Sequence, residues 1–174
     1  MSNSIHRTRN LVRAAVFAAL TAILSQIVLP IGPVPFNLAV LGAYLSGCLL
    51  DPVWAFASQM VYLLLGLVGI PVFAGFSGGP SALFGPTGGY IVGYLFLALL
   101  TALAFHWGGK WFLLLPCMLG GLAICYLLGT GWFILTTGRS LTESLALCVL
   151  PFVLPDLCKG ALALAISRPM HGRL

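Results

Sequence analysis

The stretch PTGGYIVGYLFLALLTALAF, residues 86–105, runs for twenty residues without a charge. As a helix rising about 1.5 Å per residue it covers about 30 Å, the thickness of the hydrocarbon core of a bilayer. A soluble domain has little use for such a segment, and the surrounding composition agrees. Of 174 residues, 60% are hydrophobic and only 6% charged, with a mean hydropathy of +1.10. These values lie far from those of a soluble globule.

Working outward from residues 86–105, five further apolar runs stand between Pro, Gly and charge, at 11–29, 37–50, 53–70, 111–135 and 141–167. The run at 37–50 is short for a crossing, and that at 111–135 is interrupted by Gly120-Gly121 and by Gly129-Thr130-Gly131. The basic N-terminal residues read as the flank of a first span, because more membrane follows and no cleavage site precedes soluble sequence. The expectation is an all-α integral membrane protein, a single domain over residues 1–174 forming a bundle of six transmembrane helices.

The formal net charge of +5 would suggest nucleic acid in a soluble protein. Here the basic residues sit mostly near the ends, flanking apolar runs, and report membrane orientation instead. With the N-terminus inside, the inner segments carry Arg7, Arg9, Arg13, Lys110, Arg168 and Arg173, and the outer loops carry only Arg139. Both termini are then cytoplasmic. Two uncharged Pro/Gly-rich loops, residues 30–36 and 71–90, face outward. The five cysteines show no CxxC or other metal-binding spacing, and they fall in or beside apolar runs, where thiols act as small hydrophobes.

The last run, PFVLPDLCKGALALAISR, places Asp156 and Lys159 inside an apolar helix. Ionisable groups at depth are costly and usually face a cavity or a partner. Their i, i+3 spacing sets both on one face. Counting from Arg168 at the inner interface, Lys159 lies roughly 13 Å and Asp156 roughly 18 Å into the membrane. Two readings remain open: an ion pair that only satisfies itself, or one wall of a polar pocket for a solute. Pro151 and Pro155 precede the pair and free backbone carbonyls, and irregular backbone at depth is tolerated where it lines a cavity or is buried in protein. Asn37, at the start of the short second run, is a further polar contact or a helix cap. In the first run Ala14, Ala18 and Ala22 recur every fourth residue, with Ala15 and Ala19 beside them, making a smooth stripe for close helix packing. Gly89 and Gly93 make a similar face in the fourth, expected to pack internally.

Within the second outward loop, Gly75-Phe76-Ser77-Gly78-Gly79 fits the pattern of a serine nucleophile turn, and its GFSG resembles the serine motif of rhomboid proteases. Such a serine needs a base within hydrogen-bond reach. The histidines, His6, His106 and His171, all fall on the cytoplasmic flanks. A lysine base at Lys159 would be held charged by Asp156. An intramembrane hydrolase using Ser77 is therefore the weaker alternative, and no catalytic residue is assigned. No P-loop, HExxH or other metal motif occurs, so any ATP-driven transport must draw on another subunit.

The elements GIPVFAGFSGGPSALFGPTGGY, the later LPFVLPDLCK, and PVPFNL after the first run together resemble the BioY family, the biotin-specific S components of energy-coupling-factor transporters. The resemblance covers nearly the whole chain. It departs at Asn37-Leu38-Ala39, where family members often carry Thr-Leu-Gln, and at Leu50-Asp51-Pro52, where they carry Leu-Gly-Pro. It implies a multi-pass protein of the bacterial inner membrane that binds biotin from outside under its first and third loops, with no cofactor and no metal. The implied partners are biotin, membrane lipid, a transmembrane coupling subunit and two ATPases, with no nucleic acid. Asp156, Lys159, Asn37, Phe73, Gly75, Phe76, Thr87 and Tyr90 are then the substrate contacts, and Ala14, Ala18 and Ala22 the docking stripe for the coupling subunit. An S component for another small vitamin is the alternative within the same class.

Overall fold

A computed structural model describes residues 2–29 and 35–170. Residues 30–34, most of the first loop expected to face outward, together with His171 and Arg173, lie outside the described residues. The chain is helical almost throughout. Helix α1 spans Ser2–Ser25 and leads into a two-residue strand, β1, Val28–Leu29. It pairs antiparallel with β2, Phe36–Asn37. Then follow α2, Ala39–Leu49; α3, Pro52–Leu67; the single-turn α4, Pro80–Leu83; α5, Gly88–His106; and α6, Trp111–Thr137. Helices α7, Leu141–Cys148, and α8, Leu150–Ser167, complete the order before a last 3-10 turn.

Gly88–His106, Trp111–Thr137 and Leu150–Met170 are long and apolar enough to cross a membrane, whereas α2 and α3 are shorter apolar helices. The break between α2 and α3 has a local cause. Pro52 opens α3 at its first turn and holds Asp51 extended, at ψ 153°. Helix α6, in contrast, runs unbroken for 27 residues through both glycine clusters that the sequence marks as weak points. In hydrocarbon an opened turn has no water to satisfy it, so glycine alone does not end a helix there. The helix stops at Gly138, whose left-handed φ of 70° suits a glycine C-cap. The last expected span is two helices, because the chain breaks at Val149 just before Pro151 and turns between α7 and α8.

Helix α5 is the centre of the bundle: it packs on α6 along its length and also against α2 and α3. Helix α1 packs on α2 and α3, and α8 on α2. Lipid is as apolar as leucine, so close backbone approach, not water exclusion, holds such helices together. Gly89 and Gly93 face α6 as expected: a Cβ on Gly93 would stand 2.7 Å from Cys125 Cα, and one on Gly89 2.4 Å from the Leu128 carbonyl oxygen. A polar node ties α1, α2 and α3. The Gln59 amide, fully buried, donates from Nε2 to Ser46 Oγ at 3.1 Å and Thr21 Oγ1 at 3.2 Å, while those hydroxyls donate to carbonyls of their own helices.

The alanines of α1 divide between two faces. Ala14 and Ala18 are 4% and 1% exposed, turned into the bundle, and Ala22 packs half-buried against the same core. The small residues on the outward face are Ala15 and Ala19. The i, i+4 pattern is shared by both faces, and only the packing of α1 on its neighbours decides which one is free.

Gly93→Leu is expected to lower the thermal unfolding midpoint of the purified protein by an amount equivalent to about 1–3 kcal/mol, through overpacking at the α5–α6 seam. Gly120→Leu, on the same seam helix but with nothing within 4 Å of its would-be Cβ, serves as the control and is expected to melt like the parent.

Candidate functional site

A cavity of about 260 Å³ lies at the end of the bundle where α5 begins, walled by α5, α6 and α8 and roofed by residues of the segment between α3 and α5. The Asp156–Lys159 pair lines it. Both residues are nearly inaccessible, at 3% and 5% exposure. Lys159 Nζ donates to Asp156 Oδ1 at 2.7 Å and to the backbone carbonyl of Asn37 at 2.7 Å. The ammonium also sits 4.0 Å from the centroid of the Phe36 ring, which itself stacks on Phe152. The second carboxylate oxygen, Oδ2, accepts from the Tyr126 hydroxyl at 2.7 Å. Two helices, α6 and α8, and the strand β2 therefore converge on one carboxylate and one ammonium.

This arrangement is a charge-assisted network in low dielectric, where each partner is worth more than at a surface. A carboxylate has about four lone-pair positions, and the two protein donors leave acceptor capacity for a solute. Asn37 contributes more by its backbone than by its side chain. Its Oδ1 accepts from the amide of Ala39, the first residue of α2, at 2.9 Å in a local turn, leaving the main-chain carbonyl to hold Lys159.

The aromatic walls are set by glycines on the opposing helices. Phe73, 2% exposed, lies over Gly66, where a Cβ would come within 2.0 Å of its ring, and meets Tyr62 edge-on with centroids 5.5 Å apart. The Tyr90 ring covers Gly129 in the same way. Its hydroxyl is turned away to Thr130 Oγ1 at 3.0 Å, so Tyr90 offers the cavity ring rather than a polar tip.

The roof is a small hairpin. Phe73 and Ser77 exchange backbone hydrogen bonds, N–H to O, at 2.9 and 3.3 Å, and the turn between them passes through Gly75 at φ 69° and Phe76 at φ 56°. A positive φ at phenylalanine is uncommon, and an external contact holds it: the Phe76 amide donates to Gln26 Oε1 at 2.8 Å. Gln26 Nε2 in turn donates to the carbonyls of Val72 and Phe73 at 3.0 and 3.2 Å, and Ser25 Oγ also donates to Val72. The far half of the roof is tied by Trp132 Nε1, which donates to the Gly85 carbonyl at 2.9 Å.

Of the candidate contacts read from the sequence, Asn37, Phe73, Thr87, Tyr90, Asp156 and Lys159 line this one cavity. Gly75 and Phe76 do not; they form the outer tip of the hairpin, and Phe76 is 72% exposed. Sequence reading missed Tyr126, Phe36, Gln26 and Trp132. A tyrosine inside an apolar span was the one available signal for Tyr126, and the lone amide near the end of the first apolar run that for Gln26. Ser77 also borders the cavity, where its Oγ donates to the Ala74 carbonyl at 2.9 Å. The described histidines, His6 and His106, line a separate cavity with Arg9 and Asp51. His106 ends α5, about 27 Å along the helix axis from the residue that opens it beside the roof.

Compared with known proteins, residues 1–174 match the family model described as the BioY family. The chain is 41% identical to a "Probable biotin transporter BioY" of Pyrococcus horikoshii, over 91% of its own length and 93% of the relative's. It is 36% identical to the "Biotin transporter BioY" of Thermotoga maritima, covering 91% and 94% of the two chains. In structure it matches the crystallised "S-component for biotin from an ECF-type ABC transporter" with a TM-score of 0.87 at 30% identity, covering 99% of this chain and 95% of that one. These are transporters and not enzymes, so the serine-hydrolase reading of Ser77 is set aside.

If Gln26 holds the hairpin, Gln26→Leu is expected to raise amide exchange over residues 72–77 by about fivefold or more, the equivalent of about one lost hydrogen bond, with exchange in α5 and α6 unchanged. Unaltered exchange would mean that burial of Phe73 alone keeps the roof closed.

Proposed function

The chain belongs to the BioY family, and from that premise we propose that it is the biotin-binding S component of an energy-coupling-factor transporter, taking biotin into the cavity beneath the hairpin roof. The observation that carries this reading is the Asp156–Lys159–Tyr126 network facing a concave, aromatic-walled cavity beneath the hairpin, mostly apolar with a few convergent polar groups, as small-molecule sites are. Biotin presents a carboxylate, a ureido ring with both donors and acceptors, and an apolar thiophane. The network supplies a cation and an anion for the polar ends, and Phe73 and Tyr90 supply apolar wall for the ring system.

In this reading α1, α2, α3, α5, α6 and α8 are the six transmembrane helices of a cell-membrane protein, and both termini lie in the cytoplasm. The distribution of Arg7, Arg9, Arg13, Lys110 and Arg168 at one end supports that orientation. The cavity then opens outward, and ordering of the hairpin by Gln26 and Trp132 closes it over the solute. The chain lacks a nucleotide-binding motif, so ATPase subunits and a transmembrane coupling subunit would supply the work. With Ala14 and Ala18 inside the bundle, the face of α1 available to that coupling subunit is the one bearing Ala15 and Ala19.

The purified protein is expected to bind labelled biotin without ATP. The folded Asp156→Asn/Lys159→Met double variant, verified by thermal melt, is expected to lose about 2 kcal/mol or more of affinity, at least about thirtyfold in Kd. Both charges are removed together because a single change would leave the other buried and unpaired. Unchanged affinity would leave the pair as scaffold and move the solute elsewhere.

On α1 the two faces separate by experiment. Ala19→Trp is expected to abolish biotin uptake in cells that carry the coupling module while leaving detergent binding within about twofold, since additivity holds for distant sites. Ala18→Trp is expected to lower the melting temperature instead. The reverse pattern would return the docking stripe to Ala14, Ala18 and Ala22.

A further inference from the structure

A third cavity opens sideways between α6 and α8, away from the proposed biotin site, and we propose that it seats one tail of an anionic phospholipid whose phosphate is held by Arg168. The slot measures about 490 Å³. Helix α6 packs on α5 and α8 on α2, so the space between them is floored by α2, chiefly by Tyr44. Its walls are apolar and open to the side: Leu115 and Leu119 on α6 are 47% and 49% exposed, and Leu157 on α8 is 40% exposed. Gly160 keeps α8 low, with its would-be Cβ 3.4 Å from the Tyr44 ring.

The charged mouth distinguishes this slot from an ordinary lipid-facing surface. At its end stands the Arg168 guanidinium, 4.0 Å from the centre of the Trp111 ring. Stacking uses the face of the guanidinium and leaves its in-plane N–H donors directed outward, the geometry that suits a phosphate. Lys110, the residue before Trp111 and the N-cap of α6, adds a second cation in sequence next to the stacked ring, and the opening turn of α6 carries no acidic side chain. The dimensions fit the same occupant. From Leu157 to Arg168 is about 16 Å along α8, close to the depth of one leaflet, about 15 Å. A soluble phosphate would use the mouth and leave the slot empty; a zwitterionic lipid would use the slot but gain less at the mouth.

The test uses the full chain in mild detergent, with added phosphatidylglycerol, phosphatidylcholine of the same tails, or glycerol 3-phosphate, read by lipid retention in native mass spectrometry and by melting temperature. The expected result is retention of one phosphatidylglycerol in preference to phosphatidylcholine by roughly tenfold, the scale of one charge-assisted hydrogen bond. Arg168→Gln should remove the preference, and Ala165→Phe, which fills the slot from an exposed position, should remove retention of both lipids. Ala165→Ile replaces it if the larger side chain prevents folding. Retention without headgroup preference, indifference to either substitution, or stabilisation by glycerol 3-phosphate equal to that by phosphatidylglycerol would overturn the assignment.

Discussion

An ammonium group buried among apolar helices has to find every partner inside the protein, and the way Lys159 does so ties together the parts of this fold that meet at the cavity. It takes a carboxylate from its own helix, a main-chain carbonyl from the strand before α2, and the face of an aromatic ring from that same strand. Asp156 adds a hydroxyl from α6. Leaving either charge unpaired would cost about 3 to 5 kcal/mol, comparable with much of the net stability of a small domain. The end of the bundle is therefore obliged to form around the pair, and the residues nearest to it become the walls of a site.

Such a network is weak support for stability in itself, because an apolar replacement of similar volume is often tolerated. The stability of this bundle rests instead on close seams. Gly89 and Gly93 bring α5 onto α6, and Gly42 brings α2 so near α1 that a Cβ there would lie 2.9 Å from Thr21 Cα. The Gln59 node adds hydrogen bonds among α1, α2 and α3 at the same level. The ion pair thus organises one end of a scaffold whose helix seams are held by other contacts, an arrangement that leaves its remaining hydrogen-bonding capacity for a solute.

The roof is built differently from the walls. Apart from Phe73, its residues are only partly buried, and it is held by hydrogen bonds from Ser25, Gln26 and Trp132 rather than by packed helices. Segments of that kind open at lower free energy than the helices around them. A ligand that touches both roof and pair would add its own contacts to these few, coupling occupancy to closure.

Composition and charge order determined the membrane environment and the helical class and set Asp156 and Lys159 inside an apolar run, because hydrocarbon requires every backbone polar group to be satisfied internally and penalises every buried charge. The i, i+3 spacing also put the pair on one face before any packing was known. Tertiary structure alone decided the rest. Whether α6 breaks at its glycines, whether the last span is one helix or two, and which alanine face of α1 is free depend on what each helix meets across the interface, and a one-dimensional pattern is the same in either case. The reach of Tyr126 to Asp156 spans thirty residues of sequence, and that of Lys159 to the Asn37 carbonyl spans 122. Neither contact has a local signature, since each is created only when α6, α8 and the strand before α2 are brought together around the buried charge.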